Sequence, residues 1–104
     1  MKIITDGHKY ELQNFKEKNQ PGQIIQFIEK IPVSEGSTEL KTVNDGTTNE
    51  EVLEMLINRL NYLQTKFPCK ENAVAITHIQ TGLLWLKERT TNRLDRGVEG
   101  KQIK

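Results

Sequence analysis

Three arginines, Arg89, Arg93 and Arg96, follow closely on the single tryptophan, Trp85, in the stretch LLWLKERTTNRLDRGVEG. On a helix that advances about 100° per residue, Trp85, Arg89 and Arg96 project within about 40° of one another, with Arg93 on their flank. A guanidinium is a planar fork of donors that grips phosphate oxygens two at a time, and an aromatic ring can carry a base. Phosphate and base together describe a nucleotide. The same arginines also suit a helix C-terminus, where each cation stabilises by about 0.3 to 1 kcal/mol, and Glu88, Asp95 and Glu99 are near enough in sequence to pair with them. Residue types and spacing leave both readings open.

A second group of candidates, Tyr62, Phe67, Pro68 and Asn72, lies at the junction of two helical patterns. Upstream of the junction Val52, Leu53, Leu56, Leu60, Leu63 and Phe67 recur at helical spacing, with Glu50 and Glu51 in the first turn and Thr48 or Thr47 as a cap. This predicts a first helix over 48–66, ended by Pro68. Downstream, Ile76, Ile79, Leu83, Leu86 and Leu94 predict a second helix over 71–96, with Gly97 as a left-handed C-cap. A connection this short folds the two helices into an antiparallel hairpin. Asn72 and Arg89 then lie about 25 Å apart, at a rise of about 1.5 Å per residue. One copy of the chain cannot easily bring both to a small ligand, whereas a twofold pair can, by setting one bend beside the other copy's C-terminal turn. Phe67 and Tyr62 suit stacking on a base, and suit core or interface packing equally well.

The first part of the chain has the period of strands. Ile3 to Thr5 and Tyr10 to Phe15 flank Asp6-Gly7, a hairpin signal, and a third strand is expected in IIQFIEKIPV. A fourth runs from Glu39 to Val43, ahead of Asn44-Asp45-Gly46. The expected fold is α+β: a small N-terminal antiparallel sheet followed by a C-terminal antiparallel two-helix hairpin, in an oligomer. We read residues 1–104 as a single domain, with a β-rich part over 1–46 and the hairpin and its tail over 47–104.

Composition narrows the function. With 15 Lys and Arg against 14 Asp and Glu the net charge is +1, too little to hold DNA or RNA polymers by bulk electrostatics, so any anion site is local. At 35% hydrophobic residues the core is small and part of the apolar surface is expected to be covered by another subunit. Cys69 stands alone, His8 and His78 are remote in sequence, and no leader or spanning apolar run is read, so the expected compartment is the cytosol. TDGH and DGTTNEE lack the glycine spacing of a phosphate loop and read as turns. No paired carboxylates or His-Cys arrangement suggests catalysis, and no metal or cofactor is expected.

The hairpin segment, above all ENAVAITHIQTGLLWL and the arginines running into RGVEG, resembles the hairpin domain shared by phage Thoeris anti-defence and anti-CBASS sponges. DGHKYELQNF and GQIIQFIEK resemble the β-rich part of the Thoeris members. The resemblance implies a non-enzymatic decoy acting in the cytoplasm of the infected bacterial host. It would sequester cyclic ADP-ribose isomers such as glycocyclic ADP-ribose, with cyclic di- or trinucleotides at separate sites in some members, and assemble as a dimer or as a hexamer built of dimers. Carried over by position, it implies a phosphate grip at Arg89 and Arg93 and a polar contact at Asn72, with Phe67 or Tyr62 as the stacking ring. Lys101 departs from the threonine that many relatives carry after GVEG.

Overall fold

The computed structural model describes residues 1–103; Lys104, the last residue of the expected tail, lies outside them. The fold is α+β, with five strands followed by two helices. The chain divides into two compact units, Met1–Thr48 and Asn49–Ile103.

In the first unit β1 (Lys2–Thr5) and β2 (Lys9–Leu12) pair antiparallel around Asp6-Gly7. Gly7 takes a φ of 77°, a backbone region that costs an L side chain about 1 to 2 kcal/mol. β3 (Gln23–Gln26) pairs antiparallel with the other edge of β2, giving a sheet ordered β1-β2-β3. The loop between β2 and β3 is stitched by Asn14, whose amide donates to the Pro21 carbonyl and accepts from the Gln23 side chain, both at 3.0 Å. Phe15, expected at the end of the second strand, stands exposed in this loop.

The long third strand expected from IIQFIEKIPV divides in two, and the strands make two sheets where one was expected. β4 (Glu29–Pro32) pairs with β5 (Leu40–Asn44) in a separate two-stranded sheet. Backbone hydrogen bonding gives the reason. Phe27 N–H donates to His8 O, on the side of the first sheet, whereas Ile28 N–H donates to Thr47 O, so successive residues change partner. The Thr47 N–H in turn donates to Gln26 O. Gly46 permits this approach, because a Cβ there would lie 2.3 Å from Gln26 O. Tyr10 and Phe27 pack edge to face with ring centroids 5.9 Å apart.

The second unit is the hairpin of α1 (Asn49–Lys66) and α2 (Lys70–Asp95). Glu50 and Glu51 lie in the first turn of α1, where the helix dipole favours them. Ile76 and Leu83 of α2 are buried apolar side chains, with Ile79 and Leu86 of α2 and Leu63 of α1 half-buried. Leu94, expected in this stripe, is exposed, and Arg93 is buried in its stead. The helical period accounts for the exchange. Ile79, Leu86 and Arg93 recur every seven residues and so drift only about 20° per step, which keeps Arg93 on the inward row. Among the described residues no helix is long and apolar enough to cross a membrane.

Candidate functional site

The bend between the helices is built from local hydrogen bonds. Phe67 N–H donates to Leu63 O at 2.8 Å, and Cys69 N–H donates to Gln64 Oε1 at 2.8 Å, turning the chain through Pro68 into α2. Phe67 is left 81% exposed, and Pro68 and Cys69 are exposed beside it. Asn72 is half-buried in the first turn of α2. Tyr62 is 57% exposed and carries Lys66 Nζ over its ring, 5.6 Å from the centroid. That ammonium occupies a face of the Tyr62 ring that a base would otherwise use.

Along α2, Trp85 is 71% exposed and lines a groove of about 460 Å³ with Thr81, Leu84 and Glu88. Gln80, Leu83, Leu84 and Lys87 line a neighbouring depression. Arg89 and Arg96 are exposed as well. Trp85 and Arg89 on α2 and Arg96 at its C-cap are thus each open to solvent.

Arg93 lies elsewhere. It is 4% exposed, and its guanidinium donates to the carbonyls of Val98 (2.9 Å), Lys101 and Ile103. Its Nε lies 3.6 Å from a carboxylate oxygen of Glu99. The helix stop that makes this possible is the one Gly97 announces in the sequence. Gly97 has a φ of 70°, its N–H donates to Leu94 O, and Val98 N–H donates to Arg93 O, the paired bonds of a Schellman motif. A second left-handed glycine, Gly100 (φ 80°), and a bond from Lys101 N–H to Val98 O curl the tail back again. Carbonyl oxygens thereby converge on one cation. The composition of the tail does not reveal these contacts, whereas the seven-residue spacing from Leu86 to Arg93 carries the signal for an inward side chain.

Asn72 and Arg89 are separated by 17 positions of the same helix, about 25 Å. No single copy closes that gap. His78 is exposed on α2, and among the described residues no cluster of three or more His, Cys, Asp or Glu side chains is placed to hold a metal ion.

Residues 25–91, from β3 through most of α2, match the family model described as Acb2/Tad1, hairpin domain, which is more than half of the chain. The chain belongs to the Acb2/Tad1 hairpin-domain family. Among curated proteins it is similar to Thoeris anti-defense 1 of Bacillus phage SBSphiJ7, at 40% identity over 87 aligned residues. The alignment covers 72% of this chain and 61% of that relative, so the chain spans about three fifths of the relative's length. The matched hairpin includes the bend, Trp85 and Arg89, and ends two residues before Arg93.

Proposed function

We propose that this chain is a phage anti-defence protein that binds cyclic nucleotide immune signals, cyclic ADP-ribose isomers among them, and holds them unaltered so that Thoeris effectors, and CBASS effectors where a cyclic oligonucleotide is the signal, stay inactive. The observation that carries this reading is the 40% identity to Thoeris anti-defense 1 over a stretch that covers most of the chain. The reading is one of sequestration without turnover, in the cytoplasm of an infected bacterium. A sponge has to outcompete the signal's receptor, which calls for nanomolar affinity, about −12 kcal/mol, and so for an enclosed pocket in place of an open groove.

The surface chemistry supports a pocket between copies of the chain. A cyclic ADP-ribose carries adjacent phosphates, an adenine and riboses, and needs a guanidinium, a flat apolar partner and a few amide or hydroxyl groups. Arg89 is our phosphate grip. Phe67 is preferred over Tyr62 as the stacking ring, because Lys66 already sits over Tyr62 while Phe67 stands open. Asn72 supplies the amide and Pro68 shapes the bend, with Arg96 adding a second cation and Trp85 an apolar ring. In this proposal a twofold-related copy brings Phe67, Pro68 and Asn72 of the partner subunit to Arg89. Exposed Leu84 and Trp85 give such a pair apolar surface to bury. Whether two copies or more assemble, size measurement in solution decides.

The test is mass spectrometry of small molecules released by denaturation after the protein has met lysate from cells making immune signals. Recovery of an intact cyclic nucleotide is expected. Recovery of no nucleotide overturns binding, and recovery of a linear product overturns storage in favour of turnover. A protein-docking role for the hairpin, with the arginines as rim charges, would leave calorimetric titrations with cyclic nucleotides flat.

A further inference from the structure

The connection between Lys66, the last residue of α1, and Lys70, the first of α2, consists of Phe67, Pro68 and Cys69. Proline has no N–H, so two backbone donors in it need acceptors. Phe67 N–H donates to Leu63 O, four residues back, as any helix end allows. Cys69 N–H donates instead to Gln64 Oε1 at 2.8 Å. One side of the bend is thus tied by backbone, which every sequence supplies, and the other by a particular side chain. Gln64 is half-buried, whereas residues 65–71 are all exposed. In a capping box the N–H of the N-cap residue is taken by a Glu or Gln at the third helical position. The N-cap of α2 is Cys69, with no cap bond from its own side chain, and the third position holds Asn72, whose side chain is one methylene shorter than glutamine. Gln64, on the preceding helix, performs that task from across the bend.

We infer that Gln64 is a positioning residue for the proposed nucleotide site: by accepting the Cys69 N–H it fixes the backbone that carries Phe67 and spares the Asn72 amide from capping the helix. This inference rests on the binding function proposed above, while the tie itself can be tested without a ligand. Phe67 is 81% exposed, so its ring is aimed by the backbone of the bend and not by packing. A ring held still before the base arrives loses less freedom on stacking, and that saving appears as affinity. Without the Gln64 oxygen the Cys69 N–H turns to water or to Asn72, the capping-box position, and either outcome weakens the site. The requirement is for an acceptor at the end of this side chain, which glutamate also provides.

The experiment has two arms. In the first, hydrogen exchange at the Cys69 amide is read by NMR on the full-length protein without ligand. Gln64→Met keeps a long side chain that suits a helix but removes the acceptor, and should speed this exchange by about fivefold, the worth of one hydrogen bond. Gln64→Glu should keep the wild-type rate. Wild-type exchange in Gln64→Met, or fast exchange in Gln64→Glu, overturns the tie whatever the protein binds. In the second arm, calorimetry with a cyclic ADP-ribose isomer should show Gln64→Met weakening binding by about fivefold. The decisive comparison uses a Phe67→Ala/Asn72→Ala background, where adding Gln64→Met should change Kd by less than about twofold, since the groups it positions are gone. A further fivefold loss there means that Gln64 touches the ligand itself or merely supports the hairpin, and overturns the positioning role, as does wild-type affinity in Gln64→Met alone. A wild-type protein that binds no cyclic nucleotide refutes the proposed function and with it the role of Gln64 in binding, while the exchange result still decides whether Gln64 holds the bend.

Discussion

At the start of α2 the bend leaves Phe67, Pro68 and Cys69 in solvent, with Phe67 and Cys69 hydrogen-bonded back to the last turns of α1. At its other end Arg93 is drawn inside and the backbone of the tail folds around it. The bend has apolar surface without a cover, and the tail end has a charge whose cover is the chain itself. Exposed aromatic surface is what a partner or a ligand can bury with gain. A cation already bonded to carbonyls would give up those bonds to take a phosphate, and only the difference would appear as affinity. Arg89 and Arg93, equal in chemistry and one turn apart, therefore differ in what each would give up to meet a phosphate.

Substitutions can break or sharpen this contrast. The largest effect is expected midway between the two ends. Leu83→Ala removes one of the buried side chains that hold α1 to α2, and should lower stability by about 2 to 5 kcal/mol, measured by urea denaturation. A smaller loss would mean that the hairpin is held mainly by surfaces other than this row. Arg89→Ala should cost binding about 1.5 to 3 kcal/mol, the range for bonds to charged groups, with no change in melting temperature. Wild-type affinity in calorimetry would end its assignment as the phosphate grip. Phe67→Ala should weaken binding by about 1 to 3 kcal/mol, as loss of a stacking ring does, while stability holds, since the side chain is exposed. Tyr62→Ala should do less, and the reverse order would exchange their roles. The smallest effect belongs to the Glu54–Lys87 pair between the helices, 3.2 Å apart with both side chains about half exposed. Its removal by Lys87→Ala should change stability by less than about 1 kcal/mol, and a larger change would indicate burial of that pair in an assembly.

The legible parts of the fold were those set by local chemistry. Asp6-Gly7, Pro68 and Gly97 each impose a backbone geometry within a few residues, and the turn, the bend and the helix stop fall where they stand. The helix boundaries, 49–66 and 70–95, lie within a residue of those read from periodicity. Sheet pairing was harder, because an unbroken β-forming run such as IIQFIEKIPV does not reveal that Phe27 and Ile28 bond to different partners. Of the candidate site, Trp85, Arg89 and Arg96 are each exposed. Arg93 is buried, because its place seven residues after Leu86 keeps it on the inward row of the helix.

The sequence by itself determined an α+β chain with a helical hairpin, an aromatic bend and a basic helix end, since turn residues and hydrophobic period act over short distances and need no knowledge of the whole. Only the tertiary structure decided which arginine meets solvent and where the β-run changes sheets. Those outcomes depend on carbonyls and strand edges brought together by folding, and a side chain's type does not specify which of them it will meet.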